Sequence, residues 1–133
     1  MKKLLKYICI ILISILTLTS CGQYRKEAGR YDCIVYNING NDILSQHIEF
    51  YINLQSNGKG EMIEVFKKPN YSIFGKTYRN RKVKFQIEGE ILYLQVEDNG
   101  KYYNGVEYVC KNNTLLREKR TQSYYEYVLF VKK

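Results

Sequence analysis

From about residue 30 onward, apolar and polar side chains alternate with a period of two in short runs separated by turn residues. In residues 47–55, Ile48, Phe50, Ile52 and Leu54 share one side, and His47, Glu49, Tyr51, Asn53 and Gln55 share the other. That pattern predicts a strand with one buried face. Ser56, Asn57, Gly58 and Lys59 follow, and Asn-Gly is the strongest short signal for a hairpin, so the next strand begins near Gly60. The alternation then turns Val83, Phe85 and Ile87 inward in residues 82–87, and Leu92, Leu94 and Val96 inward after a Glu88-Gly89-Glu90 turn. Beyond Asp98-Asn99-Gly100 it assigns Val106, Tyr108 and Cys110 to the inner face, and beyond Asn112-Asn113 it assigns Tyr125, Tyr127, Leu129 and Val131.

Residues 31–36, 61–66 and 115–119 complete a set of eight strands. Tight hairpins make sequential strands antiparallel neighbours. Eight of them close most simply into an up-and-down barrel with no exposed edge, and an open sandwich of seven or eight strands is the other arrangement the pattern allows. The predicted class is all-β. Because Tyr31, Phe50, Phe85, Tyr108, Tyr125 and Tyr127 are bulky and assigned inward, a core filled by side chains is expected rather than a ligand cup.

The N-terminus follows a different rule. Lys2, Lys3 and Lys6 precede an apolar run over 8–18 that only Cys9, Ser14 and Thr17 interrupt, which is the architecture of an export signal. The run is too short for the roughly 20 apolar residues a spanning helix needs. Leu18-Thr19-Ser20-Cys21 behind it resembles the lipobox of bacterial lipoproteins. The resemblance implies that residues 1–20 are a helical signal peptide removed after export, that Cys21 carries a diacylglyceryl group on its sulfur, that 21–29 is a linker and that 30–133 is the folded domain. Two acyl chains hold a protein on a membrane where one would bind only marginally. The membrane is therefore an expected partner through that anchor, at the exported face of a cell membrane or outer membrane.

A second resemblance concerns the domain. Gly29-Arg30-Tyr31 is similar to the G-x-W opening of lipocalins, with Tyr in the Trp position, and the hairpin over residues 55–60 looks like that of small bacterial lipocalin-like lipoproteins. It covers about residues 29–132 and implies a lipocalin-like barrel that binds a ligand or partner at its mouth. The chain is shorter than a typical lipocalin, and no helix follows its last strand.

Composition agrees with strands: one proline, no tryptophan and 14 tyrosines suit a pleated, half-buried surface. Charge narrows the partners. The chain has 21 basic against 13 acidic residues, and loss of the three signal lysines leaves 18 against 13, a balance of +5. Nucleic acid is not expected to meet an exported, tethered domain, so the balance points to anionic lipid, cell-wall polymer or solubility alone. Strand direction puts the short turns at the tethered end and the longer connections, 38–46 and 67–78, at the other, where loops most often carry function. No acid lies between Glu64 and Glu88, a stretch that holds Lys67, Lys68, Lys76, Arg79, Arg81, Lys82 and Lys84 with Tyr71, Phe74 and Tyr78 among them. It reads either as a docking rim for a polyanion or acidic protein, or as a solvated loop and exposed strand face.

Catalytic chemistry has little to work with. His47, the one histidine, falls on the polar face of its strand and is expected to be exposed, with no cysteine or spaced carboxylate nearby for a triad or metal cluster. Glu61 with Glu64 and Glu88 with Glu90 are close pairs, yet acid-base work needs a burying pocket. No glycine-rich phosphate loop occurs. Once Cys9 leaves and Cys21 is acylated, Cys33 and Cys110 remain, both inward at the tethered end on the first and sixth strands. They are either a disulfide, which requires Cα atoms within about 7 Å, or two buried thiols. A bridge would restrain the unfolded chain by up to about 4–5 kcal/mol.

The expectation is a monomeric, non-catalytic envelope lipoprotein without metal or cofactor, binding a small apolar ligand, an anionic polymer or a protein. The alternative is an envelope inhibitor of a hydrolase such as a lysozyme or protease. An apolar cavity open at the rim would favour a small ligand; a closed core with a protruding 67–78 loop would favour contact with a polymer or protein.

Overall fold

A computed structural model describes residues 2–4, 7–8, 23–72 and 75–133. Cys21 and Phe74 lie outside the described residues. The strands are β1 (Gly29–Ile38), β2 (Asn41–Asp42), β3 (His47–Leu54), β4 (Lys59–Phe66), β5 (Tyr78–Glu88), β6 (Ile91–Asp98), β7 (Lys101–Lys111), β8 (Thr114–Arg120) and β9 (Tyr125–Lys132). Two single 3-10 turns, Leu44–Gln46 and Pro69–Tyr71, sit in the longer connections. β1 and β3 to β9 pair in sequence order, all antiparallel, and β9 pairs back onto β1. The result is a closed eight-stranded meander barrel, and β2 is a short additional strand on β1.

The turns are built from residues that tolerate positive φ. Asn39-Gly40, Asn99-Gly100 and Asn112-Asn113 all have both central residues at φ between 50° and 82°, as a two-residue type I′ hairpin requires. The first of these folds residues 41–42 back along β1, so the 38–46 connection carries a small strand that the alternation pattern did not reveal.

The barrel is filled. Tyr31, Ile52, Val83, Leu92, Leu94, Leu115 and Phe130 are each at most 1% exposed, and Phe50, Met62, Phe85, Tyr108 and Val128 pack around them. On the outer faces of β5 and β6, Asn80, Lys82, Lys84, Gln86, Glu88, Gln95 and Glu97 stand beside Tyr78, Ile91 and Tyr93. At the N-terminal end the segment before β1 closes the floor. Tyr24 N–H donates to the Ser56 carbonyl at 3.2 Å, the Tyr24 ring lies 4.9 Å from that of Phe85, and Tyr31 Oη donates to the Glu27 carbonyl at 2.8 Å.

Two faces differ from the expectation. In β9 the inward residues are Glu126, Val128 and Phe130, whereas Tyr125, Tyr127, Leu129 and Val131 lie on the outer wall and are only partly covered. Both faces of this strand are apolar in sequence, so alternation alone does not choose between them. Register chooses: Phe130 stands opposite Cys33 on β1 and Leu115 on β8, and directly opposed residues share a face. In β3 a bulge between His47 and Glu49 shifts the pleat. Ile48 is left 66% exposed, and His47, expected outside, is 7% exposed. A similar bulge between Cys33 and Val35 turns Ile34 out, at 52% exposure, and lets Tyr36 point inward.

Candidate functional site

The end of the barrel away from the N-terminal segment has a charged lining. β4 places Gly60, Met62, Glu64 and Phe66 on one face, so Glu64 shares the inner side with the core. β5 continues its inward series Val83, Phe85 and Ile87 back to Arg81 and Arg79. The ladder sets Glu64 directly opposite Arg79 and Met62 opposite Arg81. Glu64 consequently faces three nitrogens: His47 Nε2 at 3.6 Å, Arg79 Nη1 at 3.7 Å and Arg81 Nη2 at 3.5 Å.

His47 is held by stacking on Phe50, with ring centres 5.1 Å apart, and by Nδ1–H donating to the Ile43 carbonyl at 3.1 Å. Its Nε2 is buried, and so is Arg81 Nε; neither has a hydrogen-bond partner among the described residues. Burial pushes the Glu64 carboxyl up, but His47, Arg81 and Arg79 beside it outweigh that and hold it below the usual 4.5. Burial pulls the Arg81 guanidinium below its ordinary value, an effect Glu64 only partly offsets.

A second carboxylate lines the same end. Glu126 accepts a hydrogen bond from Tyr124 Oη at 2.6 Å and lies 3.5 Å from Arg117 Nε. Tyr36 is influenced by both carboxylates: burial first, then Glu126 and Glu64, push its phenol up to about 12. Burial also drives Tyr108 upward.

This lining is reached through a seam. The β5–β6 ladder stops at Val83 opposite Val96, so residues 78–82 of β5 have no β6 partner. The β7–β8 ladder is shorter still, covering only three pairs from Val109–Leu116 to Lys111–Thr114. The tip of the β6–β7 hairpin is thus parted from both flanking strands. On the β5 side the parting is a cleft of about 620 Å³, with Lys76, Arg79, Arg81 and Lys82 on one wall and Glu97, Asp98 and Asn99 on the other. A second cleft, about 700 Å³, lies by Tyr24, Asn57 and the outer face of Gln86, Tyr93 and Gln95. There Gln95 Nε2 already donates to Asn104 Oδ1 at 3.2 Å.

The basic run found in the sequence therefore separates into three groups. Lys67, Lys68 and Lys76 are exposed in the loop between β4 and β5. Arg79 and Arg81 point inward, unlike members of a solvated rim. Lys82 and Lys84 stand on the outer wall, with Lys84 Nζ 4.1 Å from the centre of the Tyr102 ring. The inner arginines had a legible marker, since they share the parity of Val83, Phe85 and Ile87. Glu126 and Arg117 had none strong enough to find them.

Cys33 and Cys110 are free thiols, partly buried at the N-terminal end of the barrel. Ladder steps from Cys33 through Phe130 and Leu115 to Cys110 put β8 and β9 between them. Cys33 Sγ donates to the Val35 carbonyl at 3.4 Å. Burial pushes its thiol from 9.0 up to about 12, and Tyr31 moves from 10.0 to about 12 for the same reason. Both groups are kept neutral by folding, so their contribution is whole below the unfolded values and is lost as pH rises toward the folded ones. Burial raises the Cys110 thiol as well, so the thermal midpoint is expected to fall from about pH 9 upward and Cys33→Val to make that fall shallower; a midpoint constant from pH 8 to 11 would contradict this.

Among the described residues, no helix is long and apolar enough to cross a membrane, and no group of three or more His, Cys, Asp or Glu could hold a metal ion. No protein-family model matches the chain, and no curated protein matches it in sequence.

Proposed function

We propose that this chain is a lipid-anchored, non-catalytic, lipocalin-like module of the cell envelope that meets an anionic partner at the end of its barrel away from the segment that precedes β1. The observation that carries this reading is the packed core. With Tyr31, Leu92, Leu115 and Phe130 sealing the interior, an apolar ligand has nowhere to sit in the barrel axis, and contact falls to the rim and the charged lining beneath it. Lys67, Lys68 and Lys76 present that rim to solvent. A lipid on Cys21 would tether the chain through the segment before β1, leaving the rim to face whatever polymer or protein lies beyond the membrane.

Two measurements test the two halves of the proposal. Cys21→Ser should release the protein from the membrane fraction; retention at the wild-type level overturns the anchor. Lys67→Glu/Lys68→Glu/Lys76→Glu should weaken binding to a polyglycerol-phosphate polymer by roughly tenfold or more at low ionic strength, with the difference shrinking as salt is added. Equal binding by both proteins at low salt overturns the anionic rim.

A further inference from the structure

We infer that the cleft between β5 and the tip of the β6–β7 hairpin is a binding site for a small zwitterion, whose carboxylate or phosphate seats on Arg79 and Arg81 and whose ammonium seats on Glu97 and Asp98. The site adjoins the lysine rim and shares Lys76 with it, but Lys67 and Lys68 lie outside it. It exists because the β5–β6 ladder ends at Val83 and Val96 while both strands continue, so the two walls diverge around an opening of about 620 Å³. That volume falls in the range of small-molecule pockets.

Arg81 supplies the anion seat. Among the described residues its Nη2 meets the Met62 thioether at 3.0 Å and the Glu64 carboxylate at 3.5 Å, and its buried Nε has no hydrogen-bond partner. A thioether is a weak acceptor, and a buried N–H left unmade is costly. Glu64 Oε2 lies 3.5 Å from Arg81 Nη2 and 3.7 Å from Arg79 Nη1, so it meets the tip of the Arg81 guanidinium and leaves Nε unpaired among the described residues. A planar guanidinium matches the paired oxygens of a carboxylate or phosphate better than a lysine does, and the site places two of them on one wall.

Glu97 and Asp98 set the other end of the ligand. They stand on the facing wall with Asn99, where a continuous polyanion would meet like charge. A molecule carrying an amine beside its anionic group meets complementary charge at both walls. Opposite charge on the two walls thus selects a zwitterion over a simple anion.

The test uses the full chain with its anchor, in detergent, and isothermal titration with phosphoethanolamine, inorganic phosphate and ethanolamine as probes. Phosphoethanolamine should bind saturably, roughly fivefold or more tighter than phosphate, and ethanolamine should not bind. β-Alanine replaces phosphate by carboxylate, and saturation by either zwitterion supports the site. Phosphatidylethanolamine vesicles tell a lipid headgroup from a free solute: tighter binding there than to the soluble probe assigns the ligand to a membrane surface, and binding of the soluble probe alone assigns it to a free molecule. Arg81→Gln should reduce phosphoethanolamine affinity at least roughly tenfold. Glu97→Gln/Asp98→Asn, which changes only solvent-accessible groups, should keep phosphate binding and erase the preference for the amine. Lys67→Glu/Lys68→Glu should leave all of this unchanged, which separates failure here from failure of the rim. No binding of either zwitterion, wild-type affinity in Arg81→Gln, or equal affinity for phosphate and phosphoethanolamine overturns the proposal.

Discussion

Replacing Phe130 by alanine is expected to destabilise the domain by about 3–5 kcal/mol, a drop in thermal midpoint on the order of 10–20 °C for a chain of this size. The ring has no solvent exposure and meets two others edge-on, Phe50 at 5.1 Å and Tyr108 at 5.9 Å. It is also the link between Cys33 on β1 and Leu115 on β8, at the strand that closes the barrel. A hole there cannot collapse easily, because the surrounding wall is a closed ring of hydrogen-bonded strands whose spacing is fixed. Phe130→Leu, which keeps much of the volume, should cost far less. Leu129→Ala, one position along but on the outer wall, should cost under about 1 kcal/mol. Urea unfolding of the three variants decides which face of β9 is buried: a larger loss for Leu129→Ala than for Phe130→Ala would reverse the assignment.

That comparison bears on how far the sequence can be read. Strand order and most turns were legible because each is specified locally: Asn99-Gly100 and Asn112-Asn113 can adopt positive φ at both positions, and the adjacent runs alternate cleanly. The face of β9 was not legible. Tyr125, Tyr127, Leu129 and Val131 form as good an apolar stripe as the one that is buried, and only pairing with distant Cys33 and Leu115 breaks the tie. The burial of His47 was hidden by the bulge next to it, since one inserted residue inverts the parity of everything on one side. Arg79 and Arg81 were found as a charged run but not as interior groups. Their burial depends on Glu64 across the ladder, a partner whose own inward parity with Met62 and Phe66 conflicts with the usual exclusion of carboxylates from a core.

Glu64 ties the inner wall to its charged lining, and its removal is the second large effect expected. Glu64→Gln should cost about 2–4 kcal/mol, less than a fully buried ion pair because Arg79 and Arg81 keep 26% and 24% side-chain exposure. Its carboxyl is held below 4.5 when folded, so its contribution is whole above the unfolded value and disappears as pH falls through the lower folded one. The wild type should therefore lose stability on acidification below about pH 4.5, and Glu64→Gln should lose less over the same interval; parallel losses in both proteins would show that this carboxylate is not the group responsible. Arg81→Met on the Glu64→Gln background should cost less than on the wild type, because with the carboxylate gone the half-buried guanidinium has one fewer partner. An all-apolar lining would avoid the desolvation of five ionic side chains at this end of the barrel. Keeping Glu64, Glu126, Arg79, Arg81 and Arg117 there is what the proposed binding of charged groups at this end would require.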